Sequence, residues 1–235
     1  MKNLIFIILG CCAGIATMAQ SQQVLDSLST IEGKWNIDNN NNVYVQKVIE
    51  YEAKTKEQLH FLLKKHLIYD VNANYVIQLD DKENGIIIAK GSYIGNPKNL
   101  IETPVSTKYT FWHIIKCEIK ENRIRITVVL TNVDVYSPGG GSVSDGFGGS
   151  ISGPTTDEYH ITDFYPINTV STYTVVTTIG RSVSTKTVNA NSAIKNKMFT
   201  NQGYLYLHAV NRALNTIEAI QLHIKDSDNE IDEDW

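Results

Sequence analysis

The chain reads as an α+β domain in the order β-α-β-β-β-β-α, an antiparallel sheet with two helices packed on one face. Three observations predict this. A leucine stripe follows a helix-start signal at 55–67, two pairs of alternating strand-like segments lie between 75 and 135, and a second helical stripe spans 203–224.

Val43 to Tyr51 is rich in β-branched and aromatic residues and predicts the first strand. Thr55-Lys56-Glu57-Gln58 is a capping box, a hydroxyl followed three residues later by Gln, which opens a helix. Leu59, Leu62, Leu63 and Leu67 recur at i, i+3, i+4 and i+8 and form its apolar stripe. Lys56, Lys64 and Lys65 fall off that stripe, where solvation is expected. Tyr75–Leu79 and Gly85–Ile94 flank Asp80 to Gly85, whose Asn84-Gly85 supplies the turn chemistry of a hairpin. Thr107–Ile119 and Arg123–Val135 form a longer hairpin around Lys120-Glu121-Asn122. In its second arm Ile124, Ile126, Val128 and Leu130 alternate with Arg123, Arg125 and Thr127, the pattern of a sheet covered on one side. The 55–69 helix is the expected cover.

From Ser137 to Pro154 the chain is rich in Gly and Ser, a composition that buries too little surface to order itself. Thr172–Ile179 and Ser182–Val188 predict a Thr/Val-rich hairpin around Gly180-Arg181. Leu207, Val210, Leu214, Ile217, Ile220 and Ile224 then fall at helical spacing within Gly203–Ile224. The expected organisation is a signal peptide at 1–19, a polar lead-in at 20–42 and a core at 43–136. A Gly/Ser-rich insertion with a β-hairpin follows at 137–200, then a closing helix at 201–225 and an acidic tail at 226–235.

The N-terminal expectation rests on Lys2, an apolar run from Leu4 to Ala16, and Thr17-Met18-Ala19 before a polar Gln20-Ser21-Gln22-Gln23. That run is too short, and too interrupted by Gly10 and Gly14, for a stable transmembrane anchor. Cleavage after Ala19 and a periplasmic or secreted location are predicted. Ile8-Leu9-Gly10-Cys11 resembles a lipobox, but the apolar run before Cys11 is short and continues past it, so soluble export is favoured over lipidation. Cleavage would leave Cys117 as the single cysteine, unable to form an intramolecular disulfide. Its alternation with His113, Ile115 and Ile119 reads as a buried small residue rather than a nucleophile.

Charge is close to balance, with 21 Lys and Arg against 25 Asp and Glu. Asp226, Asp228, Glu230, Asp232, Glu233 and Asp234 crowd the tail and set the negative sign. Within 43–136 there are 13 Lys and Arg against 11 Asp and Glu. A nucleic-acid binder needs a basic footprint, and none is visible.

The succession Val43 to Ile49, Lys56-Glu57-Gln58-Leu59, Ile86-Ile87-Ile88-Ala89-Lys90-Gly91 and Ile124-Arg125-Ile126-Thr127 resembles domain of unknown function 4468. That family comprises exported Bacteroidota proteins with a TBP-like fold. The resemblance covers roughly 43–136, with the 203–224 helix as a further element, and implies a TBP-like core. It implies no activity, and the long Gly-rich insertion departs from it. A fold name also carries no DNA-binding role by itself.

Signatures of chemistry are weak. His60, His66, His113, His160, His208 and His223 form no His-x-x-x-His or His-Glu-x-x-His pair, and each is expected to be satisfied or solvated. Gly139 to Gly149 lacks the Gly-Lys-Ser/Thr of a phosphate loop, and Gly149-Ser150-Ile151-Ser152-Gly153 is not a nucleophile elbow. Asp226-Ser227-Asp228-Asn229-Glu230 has Ile231 where a calcium loop needs glycine. No cofactor, metal ligand or catalytic residue is assigned.

The expectation is a non-catalytic binding or interaction module of the cell envelope, its partner an envelope protein or glycan. It would work through the open sheet face or through Ser137–Pro154 and the Thr172–Val188 hairpin. Tyr109, Trp112, Phe164, Tyr165 and Tyr173, with Phe111 and Tyr204, are the candidate contacts. One alternative is a lipocalin-like small-ligand carrier, suggested by Gly33-Lys34-Trp35, which would wrap strands around an apolar cavity; a helix after the first strand, in place of an unbroken meander, speaks against it. Another is a hydrolase of polysaccharide or protein, which would need His113, Cys117 or paired carboxylates in a cleft.

Overall fold

The computed structural model describes residues 22–69, 75–95, 108–137, 154–165, 172–179, 182–189 and 192–227; of 155, 172–179, 182–189 and 192–201 it describes the backbone alone. The signal segment with Cys11 and Cys12, the Gly-rich stretch over 138–153 and the tail beyond 227 lie outside the described residues.

The chain forms helix α1 (22–30), then β1 (Asn36–Ile37), β2 (Val43–Glu50) and α2 (Lys56–Tyr69). Strands β3 (Val76–Asp81), β4 (Ile86–Gly95), β5 (Lys108–Lys120) and β6 (Arg123–Ser137) follow. The chain continues through β7 (Thr155–His160), a 3₁₀ turn (Ile161–Phe164), the hairpin β8 (Thr172–Ile179) and β9 (Ser182–Asn189), and α3 (Ser192–Asp226). β1 to β7 build one antiparallel sheet ordered β1-β2-β6-β5-β4-β3, with β7 also on β6. β6 is long enough to pair with β2 through Arg123–Leu130 and with β7 through Asn132–Ser137 on the same edge. β8 and β9 pair separately.

The expected α+β architecture holds: an open antiparallel sheet with the helices on one face. Odd-numbered residues of β5 from Tyr109 to Ile119 are buried, as are Ile124, Ile126, Val128 and Leu130 of β6. α2 seats Leu59, Leu62, Leu63 and Leu67 on that face; α3 seats Val210, Ala213, Ile217, Ile220 and Ile224. The capping box forms reciprocally: Gln58 N donates to Thr55 Oγ1 at 3.2 Å, and Thr55 N donates to Gln58 Oε1 at 2.9 Å. Gly85 (φ 67°) and Asn122 (φ 58°) take the left-handed turn positions of the two hairpins.

Several expectations need correction. The lead-in at 20–42 is not merely polar: Val24, Leu28 and Ile31, at i, i+4 and i+7, turn α1 and the turn after it into the core, with Val24 and Ile31 buried. α3 begins at Ser192, well before Gly203, because no proline interrupts 192–202 and a helix tolerates one buried glycine at modest cost. β7 was not expected, since Thr155-Thr156-Asp157-Glu158-Tyr159-His160 lacks apolar alternation; the free edge of β6 recruits it. Lys56 and Lys64 do more than meet solvent. Lys56 Nζ donates to the Glu83 carbonyl, and Lys64 Nζ lies 2.5 Å from Asp80 Oδ2, tying α2 to the β3–β4 hairpin. Among the described residues the lipocalin-like barrel does not form, because the sheet stays open, with β3 at one edge and β1 and β7 at the other. Trp35 instead packs its ring 5.3 Å from Tyr165 and 5.4 Å from Tyr206.

Candidate functional site

The face away from the helices is the first candidate. Register fixes its side chains in rows that run across the strands. One row is Tyr44, Val129, Ile114, Lys90 and Val76; the next is Gln46, Thr127, Lys116, Ile88 and Leu79. A third is Val48, Arg125, Glu118, Ile86 and Asp81. Apolar residues therefore run diagonally across the sheet through Tyr44, Val129, Ile114, Ile88 and Leu79, flanked by Lys90 and Lys116, and charge gathers toward the β5–β6 turn. Val76, Leu79, Val48 and Ile94 are exposed, while Ile86, Ile88, Ile114 and Val129 are half-buried by their neighbours. No helix of the described chain packs over this band.

Trp112 stands at one end of the band. Its Nε1 donates to Asp134 Oδ2 at 2.7 Å, and Lys90 Nζ sits 4.9 Å from the ring centroid. Asn132 bonds Glu158 beside it. An apolar ring is thus held among polar groups, the composition of an amphipathic contact. At the other end Val48, Glu118, Lys120, Arg123 and Arg125 line a cleft of about 170 Å³. Glu118 meets Lys116 at 3.3 Å and Arg125 at 3.4 Å, exposed pairs worth about 0–1 kcal/mol each.

The helix-covered face holds an unexpected polar cluster. His113 is fully buried, stacked on Tyr93 at 3.9 Å and 13°, with Tyr75 edge-on at 5.7 Å. Burial, and the charge of Arg212, push its pKa down to about 4. The nearby Phe111 main chain offsets part of that shift, but neither ring nitrogen makes a hydrogen bond of good geometry. The expectation that every histidine is satisfied or solvated fails here. Strand alternation sends His113 inward, and Gly91 opens the room for it: a Cβ there would lie 2.9 Å from His113 Nε2 and 2.6 Å from Tyr75. Tyr93 shares a hydrogen bond with Thr216 Oγ1 at 2.7 Å, and burial raises its phenol pKa.

The candidate contacts scatter across the fold. Among the aromatic ones, Trp112 faces the open side. Tyr109 and Phe111 are buried beneath the helices, and burial raises the Tyr109 phenol pKa. Phe164 and Tyr165 pack near Tyr159, Trp35 and Tyr206; Tyr204 reaches Gln23. Tyr173 lies in β8, where the backbone alone is described. Cys117 is fully buried, and burial drives its thiol pKa up, which suits a core residue. His113 and Cys117 do not line the clefts at the β5–β6 turn. The open-face residues Tyr44, Val76, Leu79, Ile88 and Ile114 were missed as contacts; alternation plus cross-strand register is the signal that finds them.

No protein-family model matches the chain, and no curated protein matches it. Solved structures do. A TBP-like protein from Parabacteroides distasonis ATCC 8503 is similar over 79% of this chain and 96% of its own, at 17% identity and a TM-score of 0.39. A DUF4468 family protein from Bacteroides ovatus ATCC 8483 is similar over 44% of this chain and 60% of its own, at 12% identity and a TM-score of 0.34. The structural neighbours thus bear the same fold and family names as the resemblance in the sequence. At these scores the likeness carries no argument about ligand or activity.

Proposed function

We propose that the chain is an exported, non-catalytic binding module of the cell envelope, which engages an envelope protein or glycan through the open face of its sheet. One observation carries the reading: a diagonal band of apolar side chains, flanked by Lys90 and Lys116 and ended by Trp112, crosses five strands with no helix of the described residues over it. Apolar surface grouped in this way marks an interaction site more often than singly scattered residues do. Export rests on the Lys2, Leu4–Ala16 and Thr17-Met18-Ala19 pattern. No helix among the described residues is long and apolar enough to cross a membrane.

The test is co-sedimentation of purified protein with the envelope fraction of its source cell. Trp112→Ala combined with Ile114→Glu should weaken retention by about tenfold or more, since central aromatic and apolar contacts carry most interface energy. Unchanged retention by a folded double variant would reject the open face. N-terminal sequencing of the cell-derived protein should begin at Gln20.

A further inference from the structure

The strand ends at the β5–β6 turn bring cations together around a real space. Arg123 and Arg125, two residues apart on β6, lie on the same side of the sheet. Register sets Lys120 directly opposite Arg123 on one neighbour, and Val48 opposite Arg125 on the other. These four residues and Glu118 line the cleft of about 170 Å³, room for several water molecules and hence for a phosphoryl group. Val48 is half exposed and gives the cleft an apolar wall.

Within the cleft three cations face one carboxylate, and that carboxylate is shared. Glu118 Oε1 lies 3.3 Å from Lys116, and its Oε2 lies 3.4 Å from Arg125 Nη1. Among the described residues the remaining guanidinium nitrogens of Arg125, and the charged groups of Lys120 and Arg123, make no hydrogen bond or ion pair. Glu50, Glu52 and Glu121 lie along a separate cleft beyond Arg123, and Glu121 accepts from the Lys56 amide. Residues 70–74, 96–107 and 138–153 join the sheet at the opposite ends of its strands. Like charges directly opposite each other on neighbouring strands destabilise a sheet, and Lys120 and Arg123 are such a pair. An anion between them would relieve that repulsion.

We propose that Lys120, Arg123 and Arg125 form a binding site for a phosphate monoester, with Val48 beside its organic part. Such a group is largely a dianion near neutral pH and carries three strong acceptor oxygens. The two guanidinium forks match pairs of those oxygens, and the ammonium adds a point charge. A monocarboxylate, with one charge and two oxygens, would leave cations unmatched. Neither Trp112 nor the apolar band takes part, so the site stands or falls separately from the envelope-binding reading.

The experiment is NMR of the backbone amides of the full chain at pH 7.5 and constant ionic strength, titrated with glycerol 3-phosphate and, separately, with acetate. The phosphate ester should shift the 120–125 amides saturably, and acetate should bind at least tenfold more weakly. Arg123→Gln should weaken phosphate binding about tenfold or more, and Arg123→Lys should recover part of it. Lys108→Gln removes the same charge roughly 40 Å away along β5 and should leave binding unchanged. Arg123 and Lys108 are exposed, so the variants should fold, and their spectra report it directly. Co-sedimentation with phosphatidylcholine vesicles, with and without phosphatidic acid, separates the sources of the group. Retention on phosphatidic acid without binding of the free ester would assign a lipid-borne phosphate, and the reverse a soluble one. Binding of neither, or an equal loss in Lys108→Gln, would overturn the site. Acetate binding as tight as that of the phosphate ester would overturn the phosphoryl assignment.

Discussion

His113 shows how much one residue's surroundings matter beyond its position in a pattern. Alternation with Ile115 and Cys117 was enough to place it on the covered side, and the same alternation read Cys117 correctly as core. What alternation does not encode is the lack of a well-aligned hydrogen bond, or the nearby charge of Arg212, which comes from α3, about a hundred residues away in sequence. The consequence is a pH dependence with a definite sign. Folded His113 stays neutral down to about 4, whereas an unfolded histidine takes up its proton near 6.5. Between those values the unfolded chain holds the extra proton. Stability is therefore full above about pH 6.5 and falls as pH drops toward 4, by roughly 3 kcal/mol from this residue. Urea denaturation at pH 7.5 and pH 4.5 should show that loss, and His113→Phe should remove most of it. An unchanged pH slope in the variant would mean that the neutral, buried state of His113 is not the cause.

Among the elements, α2 was the most legible because its determinants are local: a capping box, a leucine stripe and no helix breaker. Thr55→Ala should cost about 1 kcal/mol through the lost cap. Leu63→Ala, at a fully buried position, should cost about 2–5 kcal/mol. Chemical denaturation of the two variants checks both, and a cost at Thr55 as large as that at Leu63 would contradict the assignment of one to a cap and the other to the core. Elements defined by partners rather than by local pattern were harder to see. β7 has a polar sequence and exists because β6 runs past the end of β2. α1 offers only Val24, Leu28 and Ile31 to the core, too few for a clear stripe within a polar segment. α3 outran its visible stripe because 192–202 is compatible with a helix while contributing no apolar periodicity of its own.

At the scale of the molecule, hairpin chemistry gave the pairings β3–β4 and β5–β6, whereas β4 beside β5 and β2 beside β6 are seen only in the structure. The open face was legible as a face, since the residues between the buried positions are known once the alternation is known. Its rows were not, because they depend on register across five strands, including the shifts at Phe111/His113 and Ile77/Leu79. The candidate contacts chosen by residue type alone therefore mixed Trp112, on the open face, with Tyr109 and Phe111 beneath the helices. The central claim is that this uncovered face is the working surface. Hydroxyl-radical footprinting of the protein, free and bound to its envelope fraction, tests it most directly. The account predicts protection of Trp112, Tyr44, Ile114 and Leu79 on binding, with the exposed Phe61 and Ile68 of α2 and Leu222 of α3 still labelled. Protection of the helix side with the open face still labelled would contradict it.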